Sequence, residues 1–139
     1  MNRKKLLNFH STFAYTYYIK IETKGENVNV SEIFKKLKNY LHGHDRNSHL
    51  KSVKEFDEKS HVSRYHILYF TNKELNYSKV QKKVTPNAFV HIQLILKPQE
   101  DIENIIKLMK EIKKNNKSNL NNSTLQHFQK VTLFDFHAN

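Results

Sequence analysis

The run "TFAYTYYIKIE" constrains this chain more than any other. Phe13, Tyr15, Tyr17, Ile19 and Ile21 share one parity, and Ala14, Thr16, Tyr18, Lys20 and Glu22 share the other. Successive side chains of a strand point to opposite faces, so this period of two predicts a long strand, over 13–22, with an aromatic, apolar face to bury. Such a strand is not stable alone; it needs strand neighbours and a covering layer. "TKGEN" breaks it.

The remaining elements supply both. In "NVSEIFKKLKNYL", Asn29 is a helix N-cap with Glu32 three residues on, a capping-box pattern. Ile33, Phe34, Leu37, Tyr40 and Leu41 then form the apolar stripe of a helix over 31–41. "HGHDRNS" reads as a loop, "HLKSVKEFDE" as a weak edge strand and "SHVSRYHILYF" as a strong strand over 62–70. Residues 71–87 are polar and lysine-rich, with a short helix in "KELNYSKVQKK". "NAFVHIQLILK" alternates Val90, Ile92, Leu94 and Leu96 against His91, Gln93 and Ile95, a central strand over 88–97 ended by Pro98. Ile102, Ile105, Ile106, Met109 and Ile112 line one face of a helix over 99–114, acidic at its start and lysine-rich at its end, as the macrodipole favours. "NNKSNLNNS" reads as a loop and "QKVTLFDFH" as a final strand. The order β-α-β-β-(α)-β-α-β predicts an α+β fold: a largely antiparallel sheet with helices on one face, close to the ferredoxin-like split βαβ. A chain of 139 residues makes this one domain, 1–139.

Composition narrows the function. There is no cysteine, which excludes a disulfide framework, a thiolate zinc site and a cysteine nucleophile, and points to an intracellular compartment. "MNRKKLLNFHS" has a basic start but only a two-residue apolar run, far short of a signal peptide. No stretch approaches a membrane span, so no membrane partner is expected. Lys and Arg number 24 against 13 Asp and Glu, a net charge of +11, which favours polyanions through counterion release.

Two pairs of polar residues interrupt the apolar strands. Arg64 and His66 stand at i and i+2 of one, and His91 and Gln93 repeat that spacing on another. If these two strands pair, His66, His91 and Gln93 converge as candidate metal ligands, imidazole being the commonest ligand for such ions. Arg64 cannot ligate a metal, but its guanidinium grips phosphate bidentately. "HST" at 10–12 and "HVS" at 61–63 fit the pairs of two-histidine phosphoesterases, although two such tripeptides are expected by chance in a chain with nine His. In "LHGHD", Gly43 and Asp45 mark a turn rather than a metal loop. The lysine runs near 79–83 and 107–117 read as solvated faces.

The succession "FAYTYYIKI", "SRYHILYF" and "FVHIQLILKPQEDIENIIKLMKEIKK" resembles the rolling-circle replication initiators of plasmids and small viruses, nicking domains of the HUH endonuclease superfamily, over roughly residues 11 to 114. The first stretch is similar to their motif I. The second resembles motif II, His-hydrophobe-His, with Arg64 in the first His slot and His66 in the second. The third resembles the strand and helix that carry the nucleophilic tyrosine. The resemblance implies a metal-dependent nickase, with Mn or Mg as cofactor, in which a tyrosine attacks the DNA phosphodiester and stays linked to it. This chain departs from that pattern. Its seven tyrosines all lie at or before position 77, and helix 99–114 offers Ile105, Ile106 and Leu108 where a tyrosine is expected. Tyr77 is the remaining candidate nucleophile. Reading "HIQ" at 91–93 as motif II, as in members with Gln in the second slot, leaves no tyrosine after it. The expectation is therefore a Rep-like domain that binds single-stranded DNA without nicking it and holds no cofactor, with Mn or Mg only if activity survives. Arg64, Lys20, Lys79, Lys82 and Lys83 are the expected phosphate contacts and Tyr18 a stacking platform. The other partners considered are a second copy of the chain and a host protein. As the resemblance is to plasmid and viral products, the expected location is the host cytoplasm.

Overall fold

The computed structural model describes residues 2–24, 28–84 and 86–123, with side chains to residue 116. In chain order the elements are α1 (Arg3–Thr12), β1 (Tyr15–Thr23), α2 (Val30–His44), β2 (His49–Asp57), β3 (Val62–Thr71), α3 (Tyr77–Val84), β4 (Ala88–Leu94) and α4 (Gln99–Ser123). The four strands form one antiparallel sheet in the order β2-β3-β1-β4. With β3 antiparallel to both β1 and β2, those two strands run the same way and α2 crosses between them. By the same logic α3 crosses between β3 and β4. These are the interleaved crossovers of the ferredoxin-like split βαβ.

The parity read from the first strand sets the layers. Tyr17, Ile19 and Ile21, with Tyr65, Ile67 and Tyr69 of β3, are buried under α2 and α3. Asn29 caps α2 as expected, its side chain accepting from the N–H groups of Ser31 and Glu32. The ring of Phe34 lies flat on Tyr65 at 4.1 Å. Tyr17 places its hydroxyl where the Leu75 N–H donates to it at 3.0 Å, so the large aromatics are satisfied as well as buried.

The opposite face carries Thr16, Tyr18, Lys20 and Glu22. Here the structure differs from an arrangement with helices on one face. The two crossover helices do share a face, but α1 and α4 cover the other, where Leu6, Phe13, Val53, Leu68 and Phe70 pack with Ile102, Ile106, Met109 and Ile112. Phe13 belongs to this second cluster because β1 starts at Tyr15; Phe13 instead closes α1, its N–H donating to the Phe9 carbonyl at 2.9 Å. Helix α1 buries only Leu6 and His10, one pair at i and i+4, too short a pattern to register as amphipathic. The weak strand "HLKSVKEFD" is a full nine-residue edge strand, and the loop read in "NNKSNLNNS" is largely the last turns of α4. The final strand expected in "QKVTLFDFH" lies outside the described residues.

Candidate functional site

With β1 between β3 and β4, register places the polar residues in rows on the α1/α4 side. One row runs Glu55–Arg64–Glu22–Phe89, the next Val53–His66–Lys20–His91, the next Lys51–Leu68–Tyr18–Gln93. From these rows a continuous chain of hydrogen bonds and one ion pair is built. Tyr18 Oη lies 2.7 Å from His66 Nδ1. His66 Nε2 lies 2.9 Å from Glu55 Oε1. Arg64 Nε donates to Glu22 Oε1 at 2.6 Å, and Arg64 Nη1 stands 3.6 Å from Glu55 Oε1.

The charge of Glu55 fixes the direction of the bond it accepts. An ionised Glu55 can only accept, so His66 Nε2 carries a hydrogen; in the neutral ring Nδ1 then accepts from the Tyr18 hydroxyl. The hydrogen bond from His66 holds the Glu55 carboxyl below its ordinary range against the opposing effect of burial, and the charge of Arg64 adds to it. Burial, with the Glu55 charge adding, pushes the Tyr18 hydroxyl up to about 12. Tyr18 is therefore a neutral donor here, not a phenolate. Burial opposes the charge on Arg64, and Glu22 and Glu55 more than offset it. One guanidinium faces two carboxylates, so this patch does not present net positive charge to a phosphate.

The candidate ligands do not come together. Strands β3 and β4 are separated by β1, so His66 and His91 sit two strand spacings apart, about 10 Å, with Lys20 between them in the same row. Both ring nitrogens of His66 are engaged, while His91 and Gln93 are exposed on β4. Among the described residues no group of three His, Cys, Asp or Glu could hold a metal ion. This donor set does not fit Mn or Mg.

Tyr77 opens α3 on the other side of the sheet, its ring edge-on to Tyr17 at 6.3 Å, and cannot meet His66 through the strands. His10 and His61 lie at opposite ends of β1. His10 is buried on α1 with Nδ1 2.7 Å from Thr16 Oγ1, and His61 sits in the β2–β3 turn at a positive φ of 55°. In "LHGHD", His44 Nε2 lies 3.1 Å from the Lys73 carbonyl. The Asp45 carboxylate accepts from Thr71 Oγ1 at 2.7 Å, Asn72 N at 3.1 Å and Asn47 N at 3.0 Å, a clamp that fixes the turn. Lys79, Lys82 and Lys83 are exposed on α3, Lys83 with its ammonium 5.4 Å from the Tyr40 ring. The six expected nucleic-acid contacts thus fall on two sides of the sheet.

Sequence reasoning missed Glu55, the residue that joins His66 to Arg64. It also missed the distribution of charge. The ion pairs here use Arg3, Arg64 and His66. Lys54 aside, no described lysine lies within ion-pairing distance of a described carboxylate. At β4, the Lys24 ammonium stands 4.8 Å from the ring of Phe89, which is 55% exposed.

Residues 12–129 match the family described as "Virus, 117-like". The chain is 43% identical over 111 residues to "Uncharacterized protein 117" of Sulfolobus islandicus rod-shaped virus 1, a match covering 80% of this chain and 95% of that protein. The crystal structure of the hypothetical protein ORF119 from the same virus is similar with a TM-score of 0.70 at 43% identity, over 79% of this chain and 92% of that one.

Proposed function

The chain belongs to the 117-like family of virus proteins, and from that premise we propose that it binds nucleic acid, single-stranded DNA above all, without nicking it. The observation that carries this reading is the surplus of lysine, Lys54 aside, that no described carboxylate neutralises, in a chain of net charge +11. Paired lysines would contribute little; unpaired ones keep a condensed phosphate backbone attractive through counterion release. The exposed Phe89 beside Lys24 supplies an aromatic surface next to a cation, the combination on which single-stranded bases stack.

The chain matches a virus family and not the rolling-circle initiators that its sequence motifs resemble; that resemblance suggests the substrate class, and three features argue against the nicking chemistry. Arg64, in the first His slot, is held by Glu22. Helix α4 carries no tyrosine. Tyr77 and His66 lie on opposite sides of the sheet. A viral protein with this role acts where the genome is copied, in the host cytoplasm. Titration of a fluorescent oligothymidylate tests the reading: affinity should fall steeply with salt, by about 0.7 log units per log unit of salt for each phosphate contact, and no covalent adduct should appear with Mn²⁺ on a denaturing gel. Affinity independent of salt would contradict it.

A second reading, a module that binds a host protein or a second copy of itself, is favoured by Leu94, 38% exposed at the end of edge strand β4, and Leu96, 62% exposed just beyond it.

A further inference from the structure

We propose that the phosphate backbone of the single strand is seated not on the sheet face but in a groove that wraps the outer edge of β2 at its N-terminal end. The inference rests on the nucleic-acid reading above and adds the place. Two cavities, of about 390 and 360 Å³, meet there and share His49 and Leu50. Because His49 pairs with Phe70 and Leu50 with Tyr69, neighbouring residues of the strand look to opposite sides of the sheet. One cavity therefore opens toward α2, with Lys38 and His42, and the other toward α1, with Lys5, Phe9 and Lys51. Among the described residues neither cavity is lined by any Asp or Glu.

The other end of the same strand is the reverse. There a cavity is lined by Glu55, Asp57 and Glu58 against the single cation Lys59, and α4 closes on the strand with Asn116 donating to the Lys54 carbonyl. A polyanion meeting the β2 edge is repelled at this end and attracted at the other. Charge complementarity thus selects both the occupant and its position along the edge. The groove also holds a flat surface for a base. The imidazole of His49, itself exposed, lies stacked on the ring of Phe9 at 4.2 Å and 14°, and Lys5 holds its ammonium 5.7 Å from that same ring. Lysines on both sides of a stacked platform are the arrangement by which single strands are bound without reading sequence.

The experiment compares three proteins by anisotropy of a labelled oligothymidylate over a salt series: wild type, Lys38→Gln with Lys51→Gln, and Lys79→Gln with Lys82→Gln. Lys38, Lys79 and Lys82 are exposed and Lys51 is half-buried, and a melting curve checks that each double variant keeps the fold. The groove variant should lose on the order of tenfold in affinity or more at low salt, and its salt slope should drop by about 0.7 for each phosphate no longer neutralised, whereas the α3 variant stays near wild type. If the α3 variant loses the affinity and the groove variant keeps it, the groove is wrong and the nucleic-acid reading stands. If wild type itself fails to bind in a salt-dependent way, the underlying reading fails first. His49→Ala should weaken binding with the salt slope unchanged, since stacking releases few ions; an unaltered affinity removes the platform from the proposal.

Discussion

The two faces of the sheet are built from the same four strands and do different things. Under α2 and α3 the face is aromatic and aliphatic, with Tyr17, Ile19, Ile21, Tyr65, Ile67 and Tyr69 almost wholly buried. Under α1 and α4 the apolar contacts are confined to one part of the sheet, and the rest is the chain Tyr18–His66–Glu55–Arg64–Glu22. The first face holds the fold by burial. The second pairs Arg64 with Glu22 and Glu55, and in doing so withdraws the one arginine that looked poised for phosphate. A cation on a strand thus says little about binding until the residues opposite it on both neighbouring strands are known.

The sharpest way to break this contrast is to cut into each face. Ile67 is fully buried on the apolar side, so Ile67→Ala should cost about 2–5 kcal/mol in chemical denaturation, from the apolar area no longer buried and the cavity left behind. His91→Ala, on the exposed strand β4, should change stability by less than about 0.5 kcal/mol in the same assay. Comparable losses at the two positions would mean that the faces are not divided as described.

His66→Ala sharpens the comparison from the other side. It strips Tyr18 and Glu55 of the partner they share and should cost about 1–3 kcal/mol, less than the core cut, because one buried hydroxyl and one half-exposed carboxylate are left unsatisfied. The network also has a signature in pH. The folded Glu55 carboxyl titrates below its ordinary 4.5, so its contribution is present above that value and is lost as pH falls through the folded pKa. Tyr18 titrates near 12 in place of 10.0, so the folded state keeps a proton that the unfolded state loses. Its contribution is complete below pH 10 and drains away as pH rises toward 12. Phenolate absorbance should show this tyrosine ionising late, and Tyr18→Phe should remove that step.

The apolar face was legible in the sequence because it needs only local information: alternation along β1, β3 and β4, and the stripe Ile33, Phe34, Leu37 and Leu41 on a capped helix. The polar face was not. Arg64 meets Glu22 across 42 residues and His66 meets Glu55 across 11, and both contacts depend on a register that a one-residue slip would reverse. The strand carrying Glu55, "HLKSVKEFD", alternates poorly because it is an edge, so its acid could not be assigned to a face. Helix α1 was hidden for a similar reason, since two buried residues do not make a period. The basic groove depends on both: Lys5 and Phe9 come from that helix, His49 and Lys51 from that edge. The rows of the sheet likewise separate His66 from His91 by a strand, which a sequence pattern of paired i, i+2 positions cannot reveal.

On the face of the sheet Arg64 is engaged by Glu22 and Glu55, which in the proposed binding mode withholds it from nucleic acid. The most direct test is the salt dependence of oligothymidylate binding by Arg64→Gln, measured beside wild type under conditions where both are folded. Since Arg64 is held by Glu22 at 2.6 Å with Glu55 close by, the slope of log affinity against log salt should match that of wild type. A slope lower by about 0.7, the value of a single neutralised phosphate, would contradict the account and return the binding site to the face of the sheet.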